Sequence, residues 1–295
     1  MKLRITKGAS FVANFQRDIK TKWNVQYEER GYPHIQAGLV LNPERWRELD
    51  PFILMAEDWF KRGTFGDHPH RGFQTITYII DGRLEHIDNH GGHDVLESGD
   101  VQYMNAGSGA RHAEEAVEND IVHSLQLWLN LPKELKSTNT SYQNIYYDET
   151  PSVSFEGGQM KLYAGEAGGV KGPLEPLVPF SLAEISLQKG ASFTHQLPEN
   201  HNAFIYVLSG EVKVGSEGET IRKTGAATLT FNEDGQGTSE LLLKGNERSK
   251  VLVYSGKPIR EEVVAYGPFV MNSMDEIRQA YREYQEGKFG SKVES

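Results

Sequence analysis

Two short motifs in this chain have the residue types and spacing to do chemistry. His68-Pro69-His70 is an H-x-H and His112-Ala113-Glu114 an H-x-E, with forty-one residues separating His70 from His112. In a β-strand, residues i and i+2 point to the same face, so each motif can turn two ligating side chains towards one ion. On neighbouring strands the two pairs would bring together three imidazoles and one carboxylate. That set suits Fe, Mn, Ni, Cu or Zn, and it leaves room for exogenous ligands on a five- or six-coordinate ion. A lone H-x-H more often faces solvent. Here Gly63 and Gly66 before the first pair, Gly72 after it, and the second pair one barrel-length downstream favour a site. Asp67, Arg71 and Gln74 stand beside the ligands and are expected to orient them. The plainer alternatives are turn formation for Asp67 and a surface ion pair for Arg71.

The remaining histidines are weaker candidates. His86, His90 and His93 form a rival cluster, but Asn89, Gly91 and Gly92 mark a hairpin tip, where imidazoles are expected to be solvated. His123 alternates with leucines and reads as a hydrogen-bonded core residue, whereas His195 and His201 lack close partners in sequence. The chain has no cysteine, which excludes disulfides and thiolate ligands.

These motifs need strands to hold them, and the sequence supplies them. The 295 residues are enough for two ordinary domains, and with 38% hydrophobic and 24% charged residues a packed core is expected. Gly is abundant at 30, and the apolar runs are short and alternating, which predicts an all-β fold. Thr75 to Ile80, the Asp81-Gly82 turn and Arg83 to Ile87 read as a hairpin. Ile121 to Asn130 reads as a strand with a fully buried face. The pattern Tyr78 to Leu84 returns at Tyr206 to Val212, and Ser98 to Val101 returns at Thr224 to Ala227, at offsets of 128 and 126 residues. We read this as an internal repeat, each copy one antiparallel β-barrel. The polar stretch Lys136 to Ser141 places the join, giving an N-terminal domain over 1–136 and a C-terminal domain over 137–295. Ser273 and Glu276 form a capping-box pattern, and Gly287 is a stop, so a short helix is expected over about 273–287. It should pack its aromatic face on the outside of a barrel.

The formal net charge is −10 and no basic run stands out, which argues against a nucleic-acid partner. No apolar segment reaches the length of a membrane span. The first residues carry Lys2, Arg4 and Lys7 without an apolar stretch, so no secretory leader is expected and the protein reads as soluble and cytoplasmic.

Asp67 through Thr75, Gly99-Asp100, and Ala106-Gly107 through Glu114 resemble the signature of the pirin family within the cupin superfamily. Val263 through Asn272, Tyr284 through Gly287 and Phe289-Gly290 are similar to the family as well, whereas the first forty or so residues match less clearly. The resemblance implies a bicupin, two jelly-roll-like barrels in tandem, with one metal per chain in the N-terminal barrel. It also implies His68, His70, His112 and Glu114 as the ligands and iron as the usual ion. Many cupins and pirins have Glu where this chain has Gln74, which removes a negative charge expected near the metal.

Two functions follow from the resemblance. One is a flavonol (quercetin) 2,4-dioxygenase, in which Glu114 takes the substrate's hydroxyl proton as general base in an apolar pocket walled by Phe65, Phe73, Met104 and Trp128. The other is a redox-sensing regulatory protein whose metal biases a surface for a protein partner, which in a eukaryote would also allow a nuclear location. An isomerase on the same barrel is a third, since the fold hosts many chemistries. Applying the repeat offsets sets Gln196, Pro198, Thr238 and Glu240 against the four ligands, with His195 on the opposite face. The C-terminal barrel is therefore expected to hold no metal, and a fragment from about Thr150 onward to fold alone.

Overall fold

The computed structural model describes residues 15–294, so the N-terminal stretch read for a leader lies outside the described residues. The described chain opens with β1 (Phe15–Gln16) and β2 (Ile19–Asn24), then runs through β3 (Tyr27–Glu29), β4 (His34–Leu41) and β5 (Phe52–Phe60). It continues with β6 (Phe65–His70), β7 (Phe73–Asp81), β8 (Leu84–Asp88), β9 (His93–Leu96), β10 (Val101–Asn105) and β11 (Ala110–Ala116). The first unit ends with β12 (Val122–Asn130) and β13 (Ser141–Ile145). One sheet has the order β13-β10-β7-β12-β5-β4-β3, and the sheet facing it has the order β6-β11-β8-β9.

Strand alternation decides what each face meets. Along β12, Leu125, Leu127 and Leu129 are fully buried in a core shared with the second unit, while Ser124, Gln126 and Trp128 face a cavity inside the first. Burying each leucine contributes about 1.5–3 kcal/mol. The same core takes Tyr78 and Tyr103 from the first unit and Leu182, Tyr206 and Tyr254 from the second, so the two large sheets pack back to back. At this seam Glu57 accepts hydrogen bonds from Tyr27 and Tyr206, at 2.6 and 2.5 Å, and pairs with Nε2 of His123 at 2.7 Å. His123 is thus hydrogen-bonded, as its place among leucines suggested.

The segment around Asp81-Gly82 is not a hairpin. β7 pairs with β10 and β12, whereas β8 pairs with β9 and β11, so the chain crosses from one sheet to the other at Gly82. A turn signal between two apolar runs marks a change of direction without saying which strand becomes the neighbour. At Gly82 (φ +83) a Cβ would stand 2.3 Å from the Ile121 carbonyl oxygen, which only glycine accommodates.

The second unit repeats this order. Its smaller sheet runs Ser192–Pro198, Thr238–Gly245, Glu211–Val214, Glu219–Arg222, matching β6-β11-β8-β9. In its larger sheet Gly225–Leu229, Asn202–Ser209, Ser249–Gly256 and Phe180–Leu187 follow one another as β10, β7, β12 and β5 do. Three strands cross the boundary expected at 136/137, the first being β1, which pairs in parallel with Thr238–Gly245 of the second unit. β2, from the N-terminal side, flanks Gly225–Leu229 of the second unit, and β13, which follows the join, flanks β10 of the first. Each unit thereby has an exposed edge covered by a strand drawn from beyond it in sequence.

The C-terminal helix spans Met274–Gln285. Ser273 Oγ accepts from the Glu276 amide at 3.3 Å, and Glu276 accepts from the Asn272 amide at 2.9 Å, a variant of the expected capping box. The helix packs on the first unit. Arg71 binds Glu283 at 2.5 Å and lies over the Phe289 ring. No helix among the described residues is long and apolar enough to cross a membrane.

Candidate metal centre

β6 and β11 are antiparallel neighbours, with His112 opposite His68 and Ala110 opposite His70. This register gathers three imidazoles, with ring centroids 4.8 Å apart for His68 and His70, 4.4 Å for His68 and His112, and 5.1 Å for His70 and His112. One ligand nitrogen from each lies within 4.8 Å of the others, a group that could hold a metal ion. The register slips between His112 and Glu114, a bulge that re-aims the carboxylate relative to the rings.

Hydrogen bonds select the nitrogens that remain free. His68 Nδ1 donates to the Gly66 carbonyl at 2.8 Å, which leaves Nε2 as a lone pair. His112 Nδ1 meets Nε2 of His86 at 3.1 Å. Both nitrogens of His70 and Nε2 of His112 are buried without a hydrogen-bond partner. Buried polar atoms almost always have partners, so one nitrogen of His70 and Nε2 of His112, close to the free Nε2 of His68, fit a bound cation. Burial, and then the neighbouring imidazoles, pushes His70 and His112 well below the ordinary histidine range, which keeps both neutral, the form that ligates metals.

Glu114 stands beside this trio. Its Oε2 is 3.9 Å from His112 Nε2, and the carboxylate accepts from Gln126 Nε2 at 2.9 and 3.1 Å and from Thr77 Oγ1 at 3.4 Å. Trp128 Nε1 donates to Gln126 Oε1 at 3.2 Å, which turns the amide nitrogen towards Glu114. Burial raises the Glu114 pKa above the usual carboxylate range.

The site opens into a cavity of about 350 Å³ lined by His68, His70, Glu114 and a mainly apolar wall that includes Leu54, Phe60, Phe65 and Trp128. Two of the four expected wall residues are elsewhere. Phe73 stacks behind Trp128 at 4.2 Å, and Met104 packs against Ala106 and Ala110.

Gln74 does not orient the ligands either. It faces away from the site, where its Oε1 accepts from Tyr103 at 2.7 Å and from the Leu177 amide at 2.9 Å. Its place is one residue from Phe73 and Thr75, and alternation sends it to the other side of β7. Asp67 and Arg71 work from outside the barrel. Asp67 binds Arg111 and accepts the Val293 amide at 2.9 Å, bracing β6 against β11 and the C-terminal segment.

Of the rival cluster, His86 is buried in β8 and not at a tip, since the strand runs to Asp88 before the turn. His93 is exposed and pairs with Glu85 at 2.9 Å. Thr77 and Gln126 were missed in the sequence, and His86 was set aside as a tip residue. The polar positions alternating with leucines along β12 could have identified Gln126.

The second unit offers a different inward set from the offset alignment. Gln196, Pro198 and Thr238 are exposed, and Glu240 binds Gln16 at 2.8 Å. The buried positions are His195 and Leu197 on one strand and Ser239, Leu241, Leu243 and Gly245 on the other. The repeat is out of step by one residue here, which reverses every face.

Comparison with known proteins agrees with this architecture. The Pirin family profile matches residues 41–129, and the Pirin C-terminal cupin domain profile matches residues 182–290. The chain is 36% identical over 246 residues to rat (Rattus norvegicus) pirin, covering 82% of this chain and 83% of that protein. It is also 36% identical over 265 residues to a Pseudomonas aeruginosa protein named for quercetin 2,3-dioxygenase, covering 83% of this chain and 88% of the relative. The crystal structure of quercetin 2,3-dioxygenase from Acinetobacter baumannii superposes with a TM-score of 0.83 at 30% identity, covering 93% of this chain and 99% of that one.

Proposed function

We propose, from the premise that this chain belongs to the pirin family, that it is a metal-dependent dioxygenase acting on a flavonol. The observation that carries the reading is the grouping of three imidazoles with a buried carboxylate beside them, of which His68, His70 and Glu114 line a mainly apolar cavity. His68, His70 and His112 would hold one divalent transition ion, with Glu114 as a fourth ligand or free beside it. Iron is the ion the family resemblance favours. Such an ion, when bound, supplies Lewis acidity towards adjacent oxygens and a redox couple for dioxygen.

The chain's own residues supply the rest. Glu114 is within reach of the cavity and has its basicity raised by burial, so it can take the proton of a flavonol hydroxyl. Gln126 and Thr77 hold the carboxylate in place before and after that transfer. Trp128 and Phe65 offer flat apolar surface to an aromatic ring and exclude water from it. The net reaction consumes one O2 per flavonol and releases one CO, leaving a ring-opened ester.

The test is oxygen uptake by protein loaded anaerobically with Fe, Mn, Co, Ni or Cu, followed by loss of flavonol absorbance and by carbon monoxide detection. Release of CO distinguishes the 2,4 position of attack from scission that keeps every carbon. No uptake with any of the five metals would overturn the reading and favour a metal-dependent partner-binding protein.

A further inference from the structure

The cavity has a second polar group that the oxygenase reading leaves without a role. His34, at the start of β4, places Nε2 2.8 Å from Oδ1 of Asp58 on β5, and both residues line the cavity. Their side chains are only 25% and 13% exposed. The His34 ring meets Phe65 edge to face, with centroids 5.4 Å apart.

β12 gives the spacing. Trp128 lies 5.5 Å from the His70 ring, Gln126 holds Glu114, and Ser124 is paired with Asp58. At about 3.4 Å per residue, the Asp58 row lies roughly 7 Å beyond the Gln126 row and roughly 14 Å from Trp128. Leu54, Ala56, Phe60 and Leu84 supply apolar lining to the same cavity. The cavity thus has a metal-ligating end, an apolar body and a distant polar end where the His34–Asp58 pair lies with Arg30 and Ser124. An ionised Asp58 accepts the Nε2 proton of His34 and leaves Nδ1 as a lone pair. The His34 imidazole makes no other hydrogen bond among the described residues.

We propose that His34, held in orientation by Asp58, accepts a hydrogen bond from a hydroxyl on the substrate ring that does not meet the metal, so that the cavity selects flavonols hydroxylated on that outer ring. This inference rests on the flavonol reading and narrows its substrate class. Asp58 is the positioning residue. It fixes the tautomer and the plane of His34 and touches no substrate itself.

Quercetin and galangin test it, because they differ only in the two hydroxyls of the outer ring. Binding is measured on the metal-loaded protein without oxygen, by quenching of tryptophan fluorescence, with Trp128 in the cavity wall. The wild type is expected to bind quercetin about tenfold more tightly than galangin, the size of one well-made hydrogen bond. His34→Phe should abolish the preference by weakening quercetin alone, and Asp58→Asn should do the same by reversing the tautomer. His34→Gln should restore part of it, since an amide oxygen also accepts. Metal content should stay at the wild-type level in all three variants. Equal binding of the two flavonols by the wild type, or a preference that survives His34→Phe, would overturn the proposal. A quercetin preference without oxygen uptake would support the recognition pair and sink the oxygenase reading. Binding of neither flavonol would sink both.

Discussion

Nε2 of His86 lies 3.1 Å from Nδ1 of His112, between two buried rings on paired strands. One proton joins the two nitrogens. If it sits on His112, that ring presents an Nε2 lone pair towards the other imidazoles, and His86 acts as a neutral acceptor. Burial pushes the His86 pKa down to about 4, so it remains neutral at physiological pH. Gly66 fixes the tautomer of His68 in the same way. His70 packs against Phe73 and Trp128, with the Pro268 carbonyl beside it.

His86→Phe should therefore weaken metal binding by about 10–100-fold without unfolding the protein. His112→Ala should strip most of the metal, because it removes a ligand outright. His90→Ala and His93→Ala should leave the metal untouched. Competition with a chromophoric chelator measures all four. Wild-type affinity in His86→Phe would show that the contact does not tune the site.

Glu114→Gln separates ligand from base. Three imidazoles remain to bind the ion, so metal content should stay close to wild type, while turnover per metal falls by about 10²–10⁴-fold. Elemental analysis alongside kcat reads both. Loss of the metal would make Glu114 chiefly a ligand, and undiminished turnover per metal would remove it from the proton transfer.

The three histidines were legible because strand geometry is periodic. An i, i+2 pair shares a face wherever the strand lies, and the β6–β11 register then brings His68 opposite His112. The same rule misled at Gln74, which is close to the ligands in sequence but on the opposite side of β7. His86 was hidden because Asn89 and Gly91 signal a turn without saying where the preceding strand stops. The offset between the repeats placed the second barrel correctly and its faces wrongly, since a slip of one residue changes little in sequence and reverses a strand. The sheet pairing at Gly82 and the crossing of β2 and β13 depend on contacts distant in the chain, and local patterns do not record them.

His195 carries a pH signature. It is fully buried opposite Leu241, neither ring nitrogen has a partner, and burial, with the nearby Arg17 charge, pushes its pKa from 6.5 to about 4. The folded protein holds it neutral, whereas the unfolded chain binds a proton near pH 6.5, so stability is lost as pH falls from about 6.5 to about 4. His195→Leu should raise stability at neutral pH by about 1–3 kcal/mol, the cost of an unsatisfied buried polar group. Its advantage should widen through that window by at most about 1.4 kcal/mol per pH unit. Urea unfolding between pH 4 and pH 7 tests this, and a constant difference would show that His195 does not titrate with folding.

Phe289 ties the C-terminal segment to the metal-bearing barrel. Its ring packs edge-on against Phe269 and Tyr284, and its carbonyl accepts from Asn89 at 2.6 Å. Phe289→Ala should cost about 3–5 kcal/mol and should speed amide exchange in β6, which the same segment braces through Asp67 and Val293. Faster exchange confined to the helix would show that the helix does not support the site.

The crossing of β2 and β13 has a consequence for the chain's history and handling. A fragment beginning near Thr150 would lack β2 and leave Gly225–Leu229 as an open edge, so it is not expected to fold cleanly alone. A single cut between β12 and β13 behaves differently. Each piece would keep a strand that the other needs, and the two should remain clasped after the peptide bond is gone, migrating as one particle and reassembling from a mixture. Once duplicated units trade strands in this way, neither can be lost or inherited without the other.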